Sequence, residues 1–401
     1  MALKDLFVTP IVILVLVGIG YAIRPLVSSP ATRIYFFPAF LAKVIGAIAL
    51  GAIYQFYYGG GDTLNYYFHG TTPIWEAFLD RPYKAIQLIF ANGIHQHDTL
   101  AYSSRIWFFS DLPSYFVIRV GALFSLITGN TYSAMAVLFA AFSFSGAWAM
   151  YQALLKFYPQ LHRPLALAIF FIPSVVFWGS GMMKDTLTLG ALGWLTWAMV
   201  SIFFERRRII LSVLIILLGS YLLYSIKIYI ILCFAPAAML WVGIEQYTKI
   251  RQPVLRALLL PIFIGVIAGV SYIAIQRIGQ DNARYSIDSL SRAAEVTARW
   301  INYVSEVEGG AGYTLGDFDY SPAGIARKFF PAIFVTLFQP FLWQASNPVM
   351  LISALESFLL FALTLYILFR ARGGHFRKLL SNNSLFLFSF IFSMAFAAAV
   401  G

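Results

Sequence analysis

Residues 209–244 read IILSVLIILLGSYLLYSIKIYIILCFAPAAMLWVGI, and the only charge among them is Lys227. A helix crosses the hydrocarbon core of a bilayer with ~20 mostly apolar residues. The runs on either side of Lys227, at 209–225 and 228–245, are therefore each read as a crossing, and Arg206-Arg207-Arg208 stand just ahead of the first. The same signature recurs outward from this stretch, at 8–23, 35–57, 131–155, 165–183, 186–204, 254–276, 348–369 and 384–401. The chain is 60% hydrophobic and 11% charged, against about 25% charge in ordinary soluble domains. That balance excludes a soluble enzyme, a nucleic-acid reader and a disordered chain. Continuous runs, as opposed to alternating ~10-residue segments, exclude an outer-membrane barrel. The expected fold is an all-α polytopic membrane protein built as a single transmembrane domain over 1–401.

Two further runs, 113–129 and 329–345, are short or broken by proline, and the first carries Arg119 at its middle. Both are expected as interfacial or re-entrant helices. With these two set aside, the basic clusters fall on one side: Arg24/Arg33, Lys156/His162/Arg163, Arg206–Arg208, Lys249/Arg251/Arg256 and Arg370/Arg372/Arg377/Lys378. Lys and Arg accumulate in cytoplasmic loops. The assignment gives about ten crossings, and much of the net charge of +11 becomes topological. It leaves a large extracytoplasmic loop at 58–130 with interfacial helices, the Lys184-Asp185 corner, and a second loop at 277–347. In that second loop residues 287–304 have the spacing of an amphipathic helix. Lys4 and Asp5 cancel ahead of the first run, so it is expected as a retained helix and not a cleaved signal. The last run reaches Gly401 without a polar flank, so the sequence is expected to be cut inside or just after a final helix. The one cysteine, Cys233, has no partner for an internal disulfide.

Ionisable residues at membrane depth are costly, and they are usually functional or paired. Three positions stand out at expected outer helix ends. Asp62 follows Gly59-Gly60-Gly61 and precedes Thr63-Leu64-Asn65-Tyr66-Tyr67. It is either a general base toward a hydroxyl or amine or an N-cap of a helix starting at Thr63. Lys184-Asp185 sit in a nearly apolar corner, as a cavity-facing pair or as a hairpin corner in which Asp185 caps the next helix. Lys227 either aims at an anionic headgroup, with tyrosines around it, or snorkels from a short turn. Arg105, Asp111 and Arg119 could line a cleft beside Tyr66 and Tyr67. His95-Gln96-His97-Asp98 fits a solvated loop better than a metal site. No Walker A, GxSxG, HExxH or dinucleotide fingerprint is present.

Over residues 35–245 the order of these features resembles the GT-C superfamily of membrane glycosyltransferases, whose members include protein O-mannosyltransferases and the aminoarabinose transferase of lipid A. Gly61-Asp62-Thr63-Leu64-Asn65-Tyr66-Tyr67 is similar to the acidic motif of that family's first outer loop. The segment from Pro173 to Asp185, the helix after it, the Arg206–Arg208 turn and Lys227 follow in the family's order. The resemblance implies transfer of a sugar from a polyprenyl-phosphate donor to a glycan, lipid or protein acceptor at the extracytoplasmic face. It implies Asp62 as base or acceptor-orienting carboxylate, Lys184 and Lys227 at the donor phosphate, and Asp185 positioning Lys184 or the acceptor. The family often has an acidic pair where this chain has Asp62-Thr63, so no cofactor is assigned and a divalent metal stays open. The implied setting is a bacterial plasma (inner) membrane serving the cell envelope, with membrane lipids as partners and no nucleic acid. Two alternatives stand beside it. One is a lipid-linked polysaccharide polymerase or ligase working on a diphosphate carrier, for which Arg277, Arg284, Arg292 and Arg299 would serve. The other is a transporter or flippase.

Overall fold

The structure is a computed structural model that describes residues 3–248, 322–370 and 374–400, together with Gln252, Gly265 and Gly269. The apolar run at 254–276 (apart from those two glycines), the amphipathic segment 287–304, the 277–321 part of the second loop, its arginines and the Lys249/Arg251/Arg256 cluster lie outside the described residues. Every regular element among the described residues is a helix, and none of those residues forms a strand. Seven helices there are long and apolar enough to cross a membrane, so the chain is a multi-pass α-helical membrane protein. Two compact units divide it, Met1–Ile228 and Tyr229–Gly401.

In the first unit α1 (Leu3–Val27) and α2 (Arg33–Phe56) are joined by a turn. The Arg24 guanidinium closes that turn, donating to the Arg33 carbonyl (3.0 and 3.2 Å) and covering the Phe37 ring. After α2 come α3 (Asp62–Tyr66), a π turn at Tyr67–Thr71, α4 (Thr72–Asp80), α5 (Pro82–Ile89), α6 (Leu100–Ser103) and α7 (Leu112–Thr128). The bundle is completed by α8 (Tyr132–Leu155), α9 (His162–Phe170), α10 (Pro173–Trp178), α11 (Lys184–Val200, continued by a π turn at Ser201–Glu205) and α12 (Ile209–Ile226).

Helices α8 and α11 form its centre. Apolar surroundings give helices little hydrophobic reason to associate, so small residues that permit close backbone approach do the work. A Cβ on Gly146 would stand 2.0 Å from the Gly190 carbonyl oxygen, and one on Gly193 2.1 Å from that of Gly146. The two helices run parallel. The Trp194 indole donates to Ser145 (3.0 Å) midway, and Lys156 pairs with Glu205 (2.5 Å) beyond their last turns. Helix α1 lies along α8 in the same direction, with Asp5 accepting from the Ser133 amide (2.8 Å) and the Val27 carbonyl accepting from the Trp148 indole (3.1 Å).

Helix α7 does not traverse this bundle. Near its start Asp111 meets Lys184, the first residue of α11, at 3.8 Å. Just past its end Lys4 donates to the Gly129 carbonyl, beside the first turn of α8. The first turns of α8 and α11 share one end of the bundle, so α7 lies across that end. Its buried face, including Tyr115, Val117 and Ile118, packs with Tyr66, Ile74 and Leu88.

The run at 165–183, expected as one crossing, is not one helix. It breaks between Phe170 and Pro173 into α9 and α10, and α10 ends at Trp178. Pro173 has no N–H to continue the ladder and disfavours a helical residue before it.

The second unit contains α13 (Ile228–Thr248), α14 (Pro322–Phe338), α15 (Pro348–Arg370), α16 (Gly374–Asn382) and α17 (Ser384–Val400). Aromatic rings join them. Trp241 stacks on Phe388, and Phe334 and Phe338 meet Phe361. Thr336 donates to the Ala397 carbonyl at 3.0 Å. Of the run expected at 329–345, the first part is the end of α14, and exposed Trp343 stacks on Phe341 in the turn that follows.

Candidate functional site

The end of the first unit that α7 covers collects the polar residues. Helix α2 closes into Gly59-Gly60-Gly61, with Gly59 at φ +71° and Gly61 at φ +125°. Side chains rarely adopt such angles, and a Cβ on Gly61 would also stand 2.3 Å from the Tyr54 ring. The sharp turn starts α3 at Asp62, with Gly61 in the capping position and its carbonyl accepting from Leu64 and Asn65. The N-cap alternative for Asp62 is thus corrected. Asp62 lies one residue further in, in the first turn.

The hub is Tyr66, 1% exposed. Burial pushes its phenol pKa up, the Asp62 carboxylate adds to that, and the charges of Asp111 and Asp185 add less; a hydrogen bond with Ser114 works the other way. Ser114 in turn donates to the Asp111 carboxylate, and Asp111 faces Lys184 at 3.8 Å. On the other flank Lys227 donates to Asp185 at 2.5 Å. Residues 62, 66, 111, 114, 184, 185 and 227 are therefore brought into one cluster by α3, α7, α11 and the end of α12. Both lysine pairs remain partly exposed.

The local causes are legible. Lys227 sits in the one-residue break between α12 and α13, where α12 ends with the Lys227 amide bonded to the Leu223 carbonyl. A cation there also favours the negative end of the helix. Asp185 is in the first turn of α11 behind Met183, and its carboxylate serves an ion pair, not the cap. One expectation changes. Of the two roles expected for Asp185, positioning Lys184 or the acceptor, the first gives way: Asp185 holds Lys227, and Lys184 is held by Asp111.

The remaining candidates do not join the cluster. Arg105 makes a two-pronged pair with Glu76 (2.5 and 3.2 Å) on the exposed surface. Arg119 donates to the Ala91 carbonyl and lies over the Tyr115 ring, pinning the segment after α5. Tyr67 donates to the Asn130 carbonyl (3.0 Å) and packs edge-on against Tyr132, fastening the π turn to the start of α8. His95 bonds Ser103 and stacks on Phe109, while His97 reaches only Asp98 at 3.8 Å. No group of three His, Cys, Asp or Glu among the described residues is arranged to hold a metal ion.

One residue escaped the sequence reading altogether. Lys43, midway along α2, is 0% exposed and donates to the Val175 and Gly179 carbonyls (2.8 and 2.9 Å). A lone charge inside the apolar run 35–57 was the available signal.

The cluster offers carboxylates that can accept a proton and ammonium groups that can meet an anion, around a buried phenol. Comparison with protein-family models, curated proteins and solved structures returned no match.

Proposed function

We propose that the chain is a membrane glycosyltransferase of the GT-C type, moving a sugar from a polyprenyl-phosphate donor to a glycan, lipid or protein acceptor. The observation that carries this is the gathering of Asp62, Asp111, Lys184, Asp185 and Lys227, from four separated stretches of sequence, around Tyr66 at one end of the bundle. In the reaction the acceptor oxygen attacks the anomeric carbon and gives its proton to Asp62. The bond from that carbon to the phosphate oxygen breaks, and polyprenyl phosphate leaves with the electron pair. An ammonium has three donors, so Lys184 and Lys227 can each keep a carboxylate and still meet the phosphate. Fixed charges aimed at developing negative charge are commonly a large part of catalysis.

The topology extends the same proposal. Seven crossings become ten with the interrupted α9–α10 segment, α17 and the run at 254–276. The basic clusters Arg24/Arg33, Lys156/His162/Arg163 and Arg206–Arg208 lie at the end away from Tyr66, where Arg24 meets Arg33, Tyr35 bonds His162 (3.1 Å) and Lys156 meets Glu205. The cations at the Tyr66 end include Lys84, Arg105, Lys184 and Lys227, each paired with a carboxylate. The end with the basic clusters is cytoplasmic by the charge rule, which makes the Tyr66 end extracytoplasmic in a bacterial plasma membrane. A cysteine at Asn65 should react with an impermeant maleimide in intact cells. Labelling only after permeabilisation would reverse the orientation.

The decisive experiment offers the purified protein a panel of labelled polyprenyl-phosphate sugars with glycan, lipid and peptide acceptors. Transfer by wild type that is lost in Asp62→Asn supports the proposal. A wild-type protein inert toward the whole panel overturns it. Mass analysis of lipid-linked oligosaccharides from a deletion strain would name the sugar. The interrupted α9–α10 crossing favours a second reading, a transporter, because broken helices at membrane depth mark substrate paths in that class. Flux into proteoliposomes without formation of a new glycosidic bond distinguishes it.

A further inference from the structure

We infer that Lys43 is a positioning residue that sets the Lys184-Asp185 corner from within the bundle. Helix α10 is six residues long, and the link 179–183 that follows it is buried. Backbone carbonyls left open at a helix end must find donors, and at membrane depth water does not supply them. Side chains supply them here. Lys43 donates to the carbonyls of Val175 and Gly179, Ser180 to that of Val176, and Thr186 to that of Trp178 at 3.4 Å. Ser180 is local and Thr186 belongs to α11, the next crossing, so Lys43 alone among these donors ties the interrupted segment to α2.

The contacts around it leave little slack. A Cβ on Gly46, one turn along α2 from Lys43, would stand 2.3 Å from the Val176 carbonyl oxygen, and one on Gly179 2.6 Å from the Val175 carbonyl oxygen and 2.7 Å from both the Leu189 side chain and the Lys43 nitrogen. Beyond Gly179 the chain passes Leu50 at Gly181 and reaches α7 at Met182, whose methyl lies 2.5 Å from where a Gly121 Cβ would be. The next residues but one are Lys184 and Asp185, in their pairs with Asp111 and Lys227. Only the short link 179–183 separates the Lys43 anchor from the cluster. If the anchor goes, the α10 end must seek other donors, and the corner shifts with it. For what the cluster does the inference rests on the proposed function; for how the cluster is held it rests on geometry alone.

The test reads that geometry directly. Asp185→Cys and Lys227→Cys are introduced together in a Cys233→Ala background, and a short bifunctional maleimide joins them in the purified full chain. The cross-link should form efficiently with Lys43 present. It should fall at least fivefold with Lys43→Met, which keeps the unbranched stem and removes every donor. Lys43→Gln, whose amide carries two N–H donors, should restore at least half. Gly179→Ala presses a methyl on the Val175 carbonyl oxygen that Lys43 binds, on the Leu189 side chain and on the Lys43 nitrogen. It crowds the anchor without touching the charge, and it should lower the yield as Lys43→Met does. It serves as the reporter should Lys43→Met not fold by size-exclusion profile. Equal cross-linking in the parent, Lys43→Met and Gly179→Ala proteins overturns the inference. So does a loss that Lys43→Gln fails to restore. In separate proteins with Asp185 and Lys227 intact, Lys43→Met should lower the transfer rate and Lys43→Gln should recover it. A wild-type chain without transfer activity would remove the proposed function and leave the cross-link result standing.

Discussion

The two ends of the first unit handle charge differently. At the end carrying Arg24, Arg33, Lys156 and Arg206–Arg208, basic residues outnumber acids, and the contacts they make are turn and surface contacts such as Arg24 on the Arg33 carbonyl and Arg208 over Trp197. At the other end lysines and carboxylates are matched, Lys184 to Asp111 and Lys227 to Asp185, and a buried tyrosine lies among them. Excess charge of one sign needs only water and a membrane potential to be useful, so its exact placement matters little. Paired charges around a buried phenol have to be placed, and several helix ends are used to place them. Under the proposed function the first pattern reports orientation and the second reports chemistry.

The largest effect that can break this comparison is at Asp62. Asp62→Asn should lower transfer by about 10²–10⁴-fold, the usual contribution of a general base, while the protein elutes as wild type does. Turnover at the wild-type rate would leave Asp62 as a structural first-turn residue. Next comes Lys227→Met, which should raise the KM for the lipid-phosphate donor roughly ten- to a hundredfold, matching the ~1.5–3 kcal/mol of a hydrogen bond to a charged group. A change confined to the acceptor KM would move Lys227 to the acceptor side.

Asp5 gives a smaller effect, on folding. Its carboxylate accepts from the Ser133 amide at the positive end of α8, and Lys4 holds the Gly129 carbonyl that closes α7. Asp5→Ala should cost about 0.5–2 kcal/mol, as lost N-caps do, seen as a lower melting temperature. Asp5→Asn should keep most of it, and equal loss in both would tie the effect to charge alone. At the basic end Arg207→Gln, and on the exposed surface Arg105→Ala, should leave transfer within about twofold, since exposed charges contribute little. A hundredfold loss in either would erase the distinction between the ends.

The smallest effect is a pH dependence. The hydrogen bond from Lys84, and then that from Tyr102, hold the Asp80 carboxyl below its ordinary range. A depressed carboxylate stabilises above its unfolded pKa and loses that contribution as pH falls through the folded one. Melting curves of Asp80→Asn and wild type should therefore differ slightly at neutral pH and converge in acid. A gap that widens in acid would contradict the pairing.

Much of the fold was legible because hydrophobic length is a local property. The runs at 8–23, 209–225 and 348–369 each lie within a single helix of the structure, and those at 35–57 and 131–155 pass the end of theirs by one residue. The failure at 165–183 came from counting apolar residues across Pro173, where backbone hydrogen bonding and not hydropathy decides continuity. At the site, Asp62, Lys184, Asp185 and Lys227 stood out because ionisable groups are rare in such surroundings. Arg105 and Arg119 stood out as cations of the same outer segment and Tyr67 as part of the Asp62 motif, yet they are engaged by Glu76, Ala91 and Asn130. Rarity marks a polar residue without naming its partner.

By itself the sequence determined that this chain is a multi-pass helical membrane protein, and it set the ends of most long helices, because ~20 apolar residues in a row leave a chain few alternatives to crossing as a helix. Only the tertiary structure decided that Asp185 answers Lys227 and Asp111 answers Lys184, that α7 lies across one end of the bundle, and that Lys43 holds a broken crossing from a neighbouring helix. Those outcomes depend on which helix ends meet. Contacts between glycine-faced helices such as α8 and α11 set that, through backbones that approach where no side chain intervenes.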